Sequence, residues 1–159
     1  MKRYIHLVVW VMTLLSVGYL MGGVTESSLS DWYVSLPHSK LTPPNYVFGI
    51  VWTILYVMIA IGGWLIWEAE IFEGQSTVKH VFVLQLFLNW IWSPLFFYYH
   101  QINTALACIV AIFILVGYII LQCWNNLRLV SILMLPYLIW LGFAAYLNAV
   151  IVYHINSFG

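Results

Sequence analysis

Five long apolar stretches alternate with short polar breaks along the chain. Each stretch approaches the roughly 20 residues that a helix needs to cross a bilayer. The pattern predicts spans over about Tyr4–Gly23, Asn45–Trp67, Val78–Tyr99, Thr104–Trp124 and Leu129–Tyr153. The longest break, Thr25 to Pro44, carries Glu26, Asp31, His38 and Lys40. Within it Asp31, Trp32, Tyr33 and Leu36 suit a short interfacial helical turn. Pro43-Pro44 then opens span two, since proline is tolerated in a first helical turn. Glu68, Glu70 and Glu73 mark a solvated end of that span, and Gly74 to Thr77 reads as a turn. Pro94 in span three and Pro136 in span five free the carbonyls of Trp90 and Ile132 from helical hydrogen bonds. Links as short as His100–Asn103 and Asn125–Arg128 make the helices they join antiparallel neighbours.

Composition makes lipid the solvent. Charged residues are 6% of 159 positions and hydrophobic ones 64%, against about 25% charged in soluble domains. A chain this small has too little interior to hide that much apolar surface. The expected class is an all-α membrane protein, a five-transmembrane-helix bundle, with residues 1–159 as one multi-pass domain. Net charge is zero, with no basic face for nucleic acid and no polybasic cluster for anionic lipid. Lys2 and Arg3 precede the first apolar run as they would in a secretory signal. That run exceeds the 7–15 residues of a signal core, so it is read as the first span. With five spans, Lys2, Arg3, Lys79 and Arg128 share one side and Lys40 stands on the other, which favours a cytoplasmic N-terminus. Cys108 and Cys123 lie about four turns apart on one helix and read as unpaired thiols.

The spans carry no Asp, Glu, Lys or Arg at mid-depth, where pumps and proton relays usually hold one. Catalytic carboxylate pairs are thereby disfavoured. His6, His38, His80, His100 and His154 fall at span ends or in loops and form no metal-type pair at i, i+4, so no metal is expected. Uncharged polar groups are more informative. Gln85 and Asn89 share a face of span three, continued by Trp92, Ser93 and Phe96. Phe48, Trp52 and Tyr56 share a face of span two; Pro136, Trp140, Ala144 and Asn148 share one of span five. Buried amides in lipid must find partners or line a cavity. Two readings stay open: a pocket for a flat, mostly apolar ligand, or hydrogen-bonded glue between helices with Trp as packing. Gly18 and Gly22 likewise suit either a contact within the chain or a dimer seam, as do Ala107 and Ala111.

Several segments together resemble the TspO/MBR family, the tryptophan-rich sensory proteins related to the mitochondrial translocator protein. They are Trp32-Tyr33-x-x-Leu36, Thr42-Pro43-Pro44, Val51-Trp52-Thr53-x-Leu55-Tyr56, the run Gln85-Leu86-x-Leu88-Asn89-Trp90-x-Trp92-Ser93-Pro94-Leu95-Phe96-Phe97, and Leu135-Pro136-Tyr137-Leu138-x-Trp140-x-x-Phe143-Ala144-x-x-Leu147-Asn148. The resemblance covers residues 32–150. It implies five helices around a pocket that opens toward the loop between spans one and two. It implies a receptor or sensor that binds protoporphyrin IX, haem and, in some members, sterols and isoquinoline or benzodiazepine compounds. Carried over by position, the ligand-binding residues would be Trp52, Asn89, Trp140, Ala144 and Leu147, with Trp32, Phe48, Gln85, Trp92, Phe96 and Asn148 around them. No cofactor is required; porphyrin or haem is the ligand, and membrane lipid and a second copy of the chain are the other implied partners. Light-driven porphyrin degradation, reported for some members, would place Trp52 and Trp140 in a catalytic role. The reading leans away from an enzyme.

Two departures stand out against that family. Leu41 occupies the place of a tryptophan before the Pro-Pro pair, and Pro37 replaces a proline found later in the loop. Tyr153 is followed by no Lys or Arg, which a C-terminal sterol motif requires. Other function classes remain: a transporter of porphyrins or small amphiphiles, which inverted repeats would support, or a membrane assembly protein that binds no ligand.

Overall fold

The computed structural model describes residues 2–28 and 32–158. Five long helices make up the chain: α1 (Lys2–Ser28), α2 (Asn45–Glu68), α3 (Gln75–Ser93), α4 (Ile102–Cys123) and α5 (Arg128–Phe158). A π-helical turn, Pro94–Tyr98, continues α3. All five are long and apolar enough to span a membrane. The multi-pass architecture expected from the apolar runs is therefore present.

Boundaries differ where helices leave the hydrocarbon. α1 runs on to Ser28 and α5 to Phe158, several residues past the apolar runs. Backbone bonds continue a helix into water at little cost, so polarity alone misplaces such ends. Asp31 lies outside the described residues, but 32–35 do form one helical turn, with the Leu36 amide bonded to the Tyr33 carbonyl at 3.1 Å. After Pro94 the ladder widens, and the Tyr99 amide reaches back to the Pro94 carbonyl at 2.9 Å. A proline lacks the donor that would keep the tighter register, and a π-bulge is a common response.

The helices close into a ring in the order α1, α2, α5, α4, α3, with α3 and its π-helical turn returning to α1. α3–α4 and α4–α5 are neighbours, as their short links require. α2 and α3 touch only lightly across the ring, although six residues join them. Gly74 allows that link. Its φ of 82° is the left-handed conformation that a Cβ disfavours. Gln75 follows and donates to the carbonyls of Ile66 and Ala69 (3.2 and 3.3 Å), satisfying acceptors at the end of α2.

A heptad seam holds the bundle. On α4 the seam runs through Ala105, Ile109, Ile112, Val116, Ile119 and Cys123, flanked by buried Cys108 and Ile120; on α5 it runs through Val130, Met134, Tyr137, Leu141, Ala144, Asn148 and Ile151, flanked by buried Ser131 and Leu147. Alternating steps of four and three keep one face turned inward along both helices. Ser131 adds a hydrogen bond to the Ile120 carbonyl at 2.8 Å. α1 is the least enclosed helix, with Leu14 in the core and Trp10, Val11 and Leu15 packed against it. Its contact with α2 depends on Gly18. A Cβ there would sit 2.6 Å from the Tyr56 ring, whereas one at Gly22 would meet nothing within 4 Å. Gly18 thus serves a contact inside the chain.

Candidate functional site

At the centre of the bundle four side chains form a directed hydrogen-bond chain. Tyr56 Oη donates to Asn89 Oδ1 (2.7 Å), Asn89 Nδ2 donates to Tyr137 Oη (2.9 Å), and Tyr137 Oη donates to Gln85 Oε1 (3.0 Å). All four are buried, Gln85 and Tyr137 completely. Helical spacing explains the grouping. Gln85 and Asn89 stand one turn apart on α3, and Tyr56 and Tyr137 lie on inward seams of α2 and α5. Such a chain in lipid ties three helices together, because each unsatisfied polar group would be costly there. The amides of α3 therefore take partners from the facing tyrosines.

Aromatic rings surround this chain on the α2–α5 side. Trp52 lies 5.6 Å from Tyr56 and 6.2 Å from Tyr137 by ring centroids. Phe48 meets Trp140 edge to face at 5.8 Å, and Trp140 meets Phe143 at 5.6 Å. These separations fall in the range preferred by aromatic pairs. A groove of about 570 Å³ opens along the same helices, lined by Val51, Ile54, Leu55 and Met58 of α2 and by Pro136, Ile139, Trp140 and Phe143 of α5. Its volume is that of small-molecule sites. Every lining side chain is apolar, and Trp140 belongs both to the groove and to the inner aromatic group.

A second aromatic group sits beneath the loop between α1 and α2. Trp32 stacks on His100 (3.9 Å, 17° between planes) and meets Phe96 at 5.6 Å. Trp92 stacks on Phe96 at 5.3 Å. Tyr33 packs on His38, Phe96 and Phe97. Burial pushes the Tyr33 phenol above its usual pKa, since the charged form loses water. Farther along, the Ser39 and Tyr146 hydroxyls lie 3.1 Å apart and join the loop to α5. The loop is thereby pinned over the end of the bundle.

The residues singled out in the sequence fall into three places. Gln85 and Asn89 join the central chain; Phe48, Trp52 and Trp140 wall it; Trp32, Trp92 and Phe96 lie under the loop. Ala144 and Leu147 are buried on the α5 seam. Asn148 engages α4: with its amide set to pair donor with acceptor, Nδ2 donates to the Ile102 carbonyl (3.2 Å) and Oδ1 accepts from the Leu106 amide (3.0 Å). Tyr56 and Tyr137 were not singled out as site residues. The signal for them was present, since Tyr56 follows Trp52 by four residues and Tyr137 precedes Trp140 by three, placing each on its tryptophan's face. Among the described residues, no group of three or more His, Cys, Asp or Glu side chains is placed to hold a metal ion.

These features define a class: a multi-pass membrane protein whose interior carries indoles, phenols and amides where a charge-coupled carrier would hold ionised groups. The chain belongs to the TspO/MBR family, whose model matches residues 9–154. It is 37% identical over 153 residues to a tryptophan-rich protein TspO of Archaeoglobus fulgidus, covering 96% of this chain and 98% of that one. It is 34% identical over 122 residues to the human translocator protein, covering 74% and 70% of the two chains. A tryptophan-rich sensory protein of Cereibacter sphaeroides is 29% identical over 118 residues, covering 74% and 73%.

Proposed function

We propose that this protein is a membrane receptor or sensor that takes protoporphyrin IX, haem or a similar flat, apolar ligand against the tryptophans of α2 and α5. The observation that carries the reading is the position of Trp140, which lines a roomy apolar groove, beside an inner group in which Trp52 packs on the Tyr56 and Tyr137 rings of the buried amide–phenol chain. Indole faces suit a macrocycle by stacking, and the amide region suits its polar edge. The groove and the central chain are built without His, so a tetrapyrrole there would be held by its face and edge. They also include no carboxylate, Lys or Arg. Light-driven loss of bound porphyrin would then proceed by oxidation with reactive oxygen that the excited porphyrin forms from dissolved dioxygen beside Trp52 and Trp140, with the protein acting by proximity.

Tryptophan fluorescence tests the proposal. Protoporphyrin IX added to purified protein should quench it saturably, and Trp52→Phe combined with Trp140→Phe should abolish most of the saturable component. The same titration should raise the thermal midpoint of the parent protein, because a ligand that binds only the folded state stabilises it. Quenching and stabilisation that persist unchanged in the double variant would remove both tryptophans from the site.

A further inference from the structure

Where α4 begins and α5 ends, the two helices enclose a cleft of about 300 Å³ that shares no residue with the α2–α5 groove. Asn148 ties the helices together just inside it, pairing with the Ile102 carbonyl and the Leu106 amide (3.2 and 3.0 Å). Val152 and Asn156 follow Asn148 at i+4 and i+8, so they continue its face of α5 into the cleft. His100, Asn103 and Thr104 line the opposite wall. The His100 ring is held by its stack on Trp32 at 3.9 Å. The amides of Ile102 and Ala105 close on the His100 and Gln101 carbonyls (3.1 and 2.8 Å); those of Asn103 and Thr104 have no protein acceptor among the described residues. α5 ends at Phe158, so its last turn brings carbonyls without helical donors to the same place. No Asp, Glu, Lys or Arg lines the cleft.

We propose that this cleft is a second binding site, for a hexose ring carried as the headgroup of a membrane glycolipid or free in solution. The ground is the mixture of donors and acceptors. The side-chain amides of Asn103 and Asn156 and the Thr104 hydroxyl each offer both, and the helix ends add backbone N–H on one wall and C=O on the other. A hydroxyl is likewise both donor and acceptor, so a ring of hydroxyls can answer every group in such a lining. An anion brings acceptors alone and would meet the α5 carbonyls unfavourably; an ammonium brings donors alone and finds no carboxylate. The volume is the share of about ten water molecules, enough for one sugar ring. Val152 and Ile155 supply apolar surface for its C–H face. The cleft lies where the apolar runs of α4 and α5 give way to polar residues, at headgroup depth. The site is independent of the tryptophan site and of the ligand proposed for it.

Two lipids with the same tails isolate the effect. Monoglucosyl diacylglycerol and plain diacylglycerol would be mixed into phosphatidylcholine nanodiscs holding the full chain, free of sugar detergents, and the retained lipid counted by native mass spectrometry. The glucosyl lipid should be retained over diacylglycerol by about fivefold or more. Asn103→Leu combined with Asn156→Leu should erase that preference. Both side chains are exposed, so the thermal midpoint should stay where it is. Methyl β-glucoside, titrated while the Asn103 and Asn156 side-chain amide signals are followed by NMR, separates the two sources. Saturable shifts with the free glucoside make a soluble sugar sufficient, and shifts with the glucosyl lipid alone make the ligand a membrane headgroup; either supports the hexose site. Equal retention of the two lipids with no shift from methyl β-glucoside overturns it. So does a glucosyl preference that survives in the double variant, which would put the sugar elsewhere on the protein.

Discussion

Two residues that look alike in the sequence, Gly18 and Gly22, have opposite roles in the structure. Gly18 lies against Tyr56, and Tyr56 in turn orients Asn89. Gly18→Ala should therefore displace the phenol and cost about 1–3 kcal/mol, the usual range for overpacking. Gly22→Ala, facing open space, should change the thermal midpoint little, and equal effects from the two would show that the α1–α2 contact is misread. Tyr137 offers the complementary case. It accepts from Asn89 and donates to Gln85 while fully buried. Tyr137→Phe removes one hydroxyl but leaves both amides short of a partner, a loss of about 1–3 kcal/mol. Detergent melts of that variant would show it, and an unchanged midpoint would mean the chain does not bind the three helices together.

Elements were legible in the sequence to the extent that lipid dictates them. The apolar runs located all five helices, because a backbone crossing hydrocarbon must satisfy its own hydrogen bonds. Pro94 signalled the irregular turn. The ring order was not legible: every helix is apolar over most of its surface, so periodicity ranks faces poorly, and lipid-facing and buried leucines look the same. Nor was the choice between pocket and glue, since the same Asn and Gln spacing serves both. Asn148 shows the ambiguity resolved on one residue, for its partners on α4 lie 42 to 46 positions away in the chain. The loop over the bundle end yields an element-scale prediction. Tyr33 is raised above the ordinary tyrosine value of 10.0 by burial in that loop. Its neutral form favours the docked state, so its contribution is complete below pH 10 and is lost as pH rises through the docked value. Limited proteolysis of the loop should accelerate on that alkaline rise, and Tyr33→Phe should flatten the response. A rise of equal steepness in the variant would assign it to another group.

The whole molecule has two chemically different ends. At the end where α1 begins, Arg3 lies over Trp64 (5.0 Å), Lys79 over Trp67 (5.7 Å) and Arg128 over Trp124 (5.5 Å). Glu68 there forms an ion pair with Arg3 at 3.8 Å and a hydrogen bond with the His6 ring at 2.8 Å. Exposed ion pairs of this kind contribute little energy. The three cation–indole pairs matter for placement, since Trp anchors at the headgroup level and Lys or Arg is retained on the cytoplasmic side. The opposite end carries the loop with Lys40 as its only Lys or Arg between Arg3 and Lys79. Replacing Ser39 at that end and Ser76 in the first turn of α3 with cysteine gives one probe for each side. Ser76 is exposed and Ser39 partly so, whereas Cys108 and Cys123 are buried. A membrane-impermeant maleimide applied to intact cells should label Ser39→Cys and spare Ser76→Cys, which would react only after the membrane is opened. The reverse pattern would place the cation-rich end outside and require another source for the orientation, while labelling of both from one side would contradict the antiparallel passage of α2 between them.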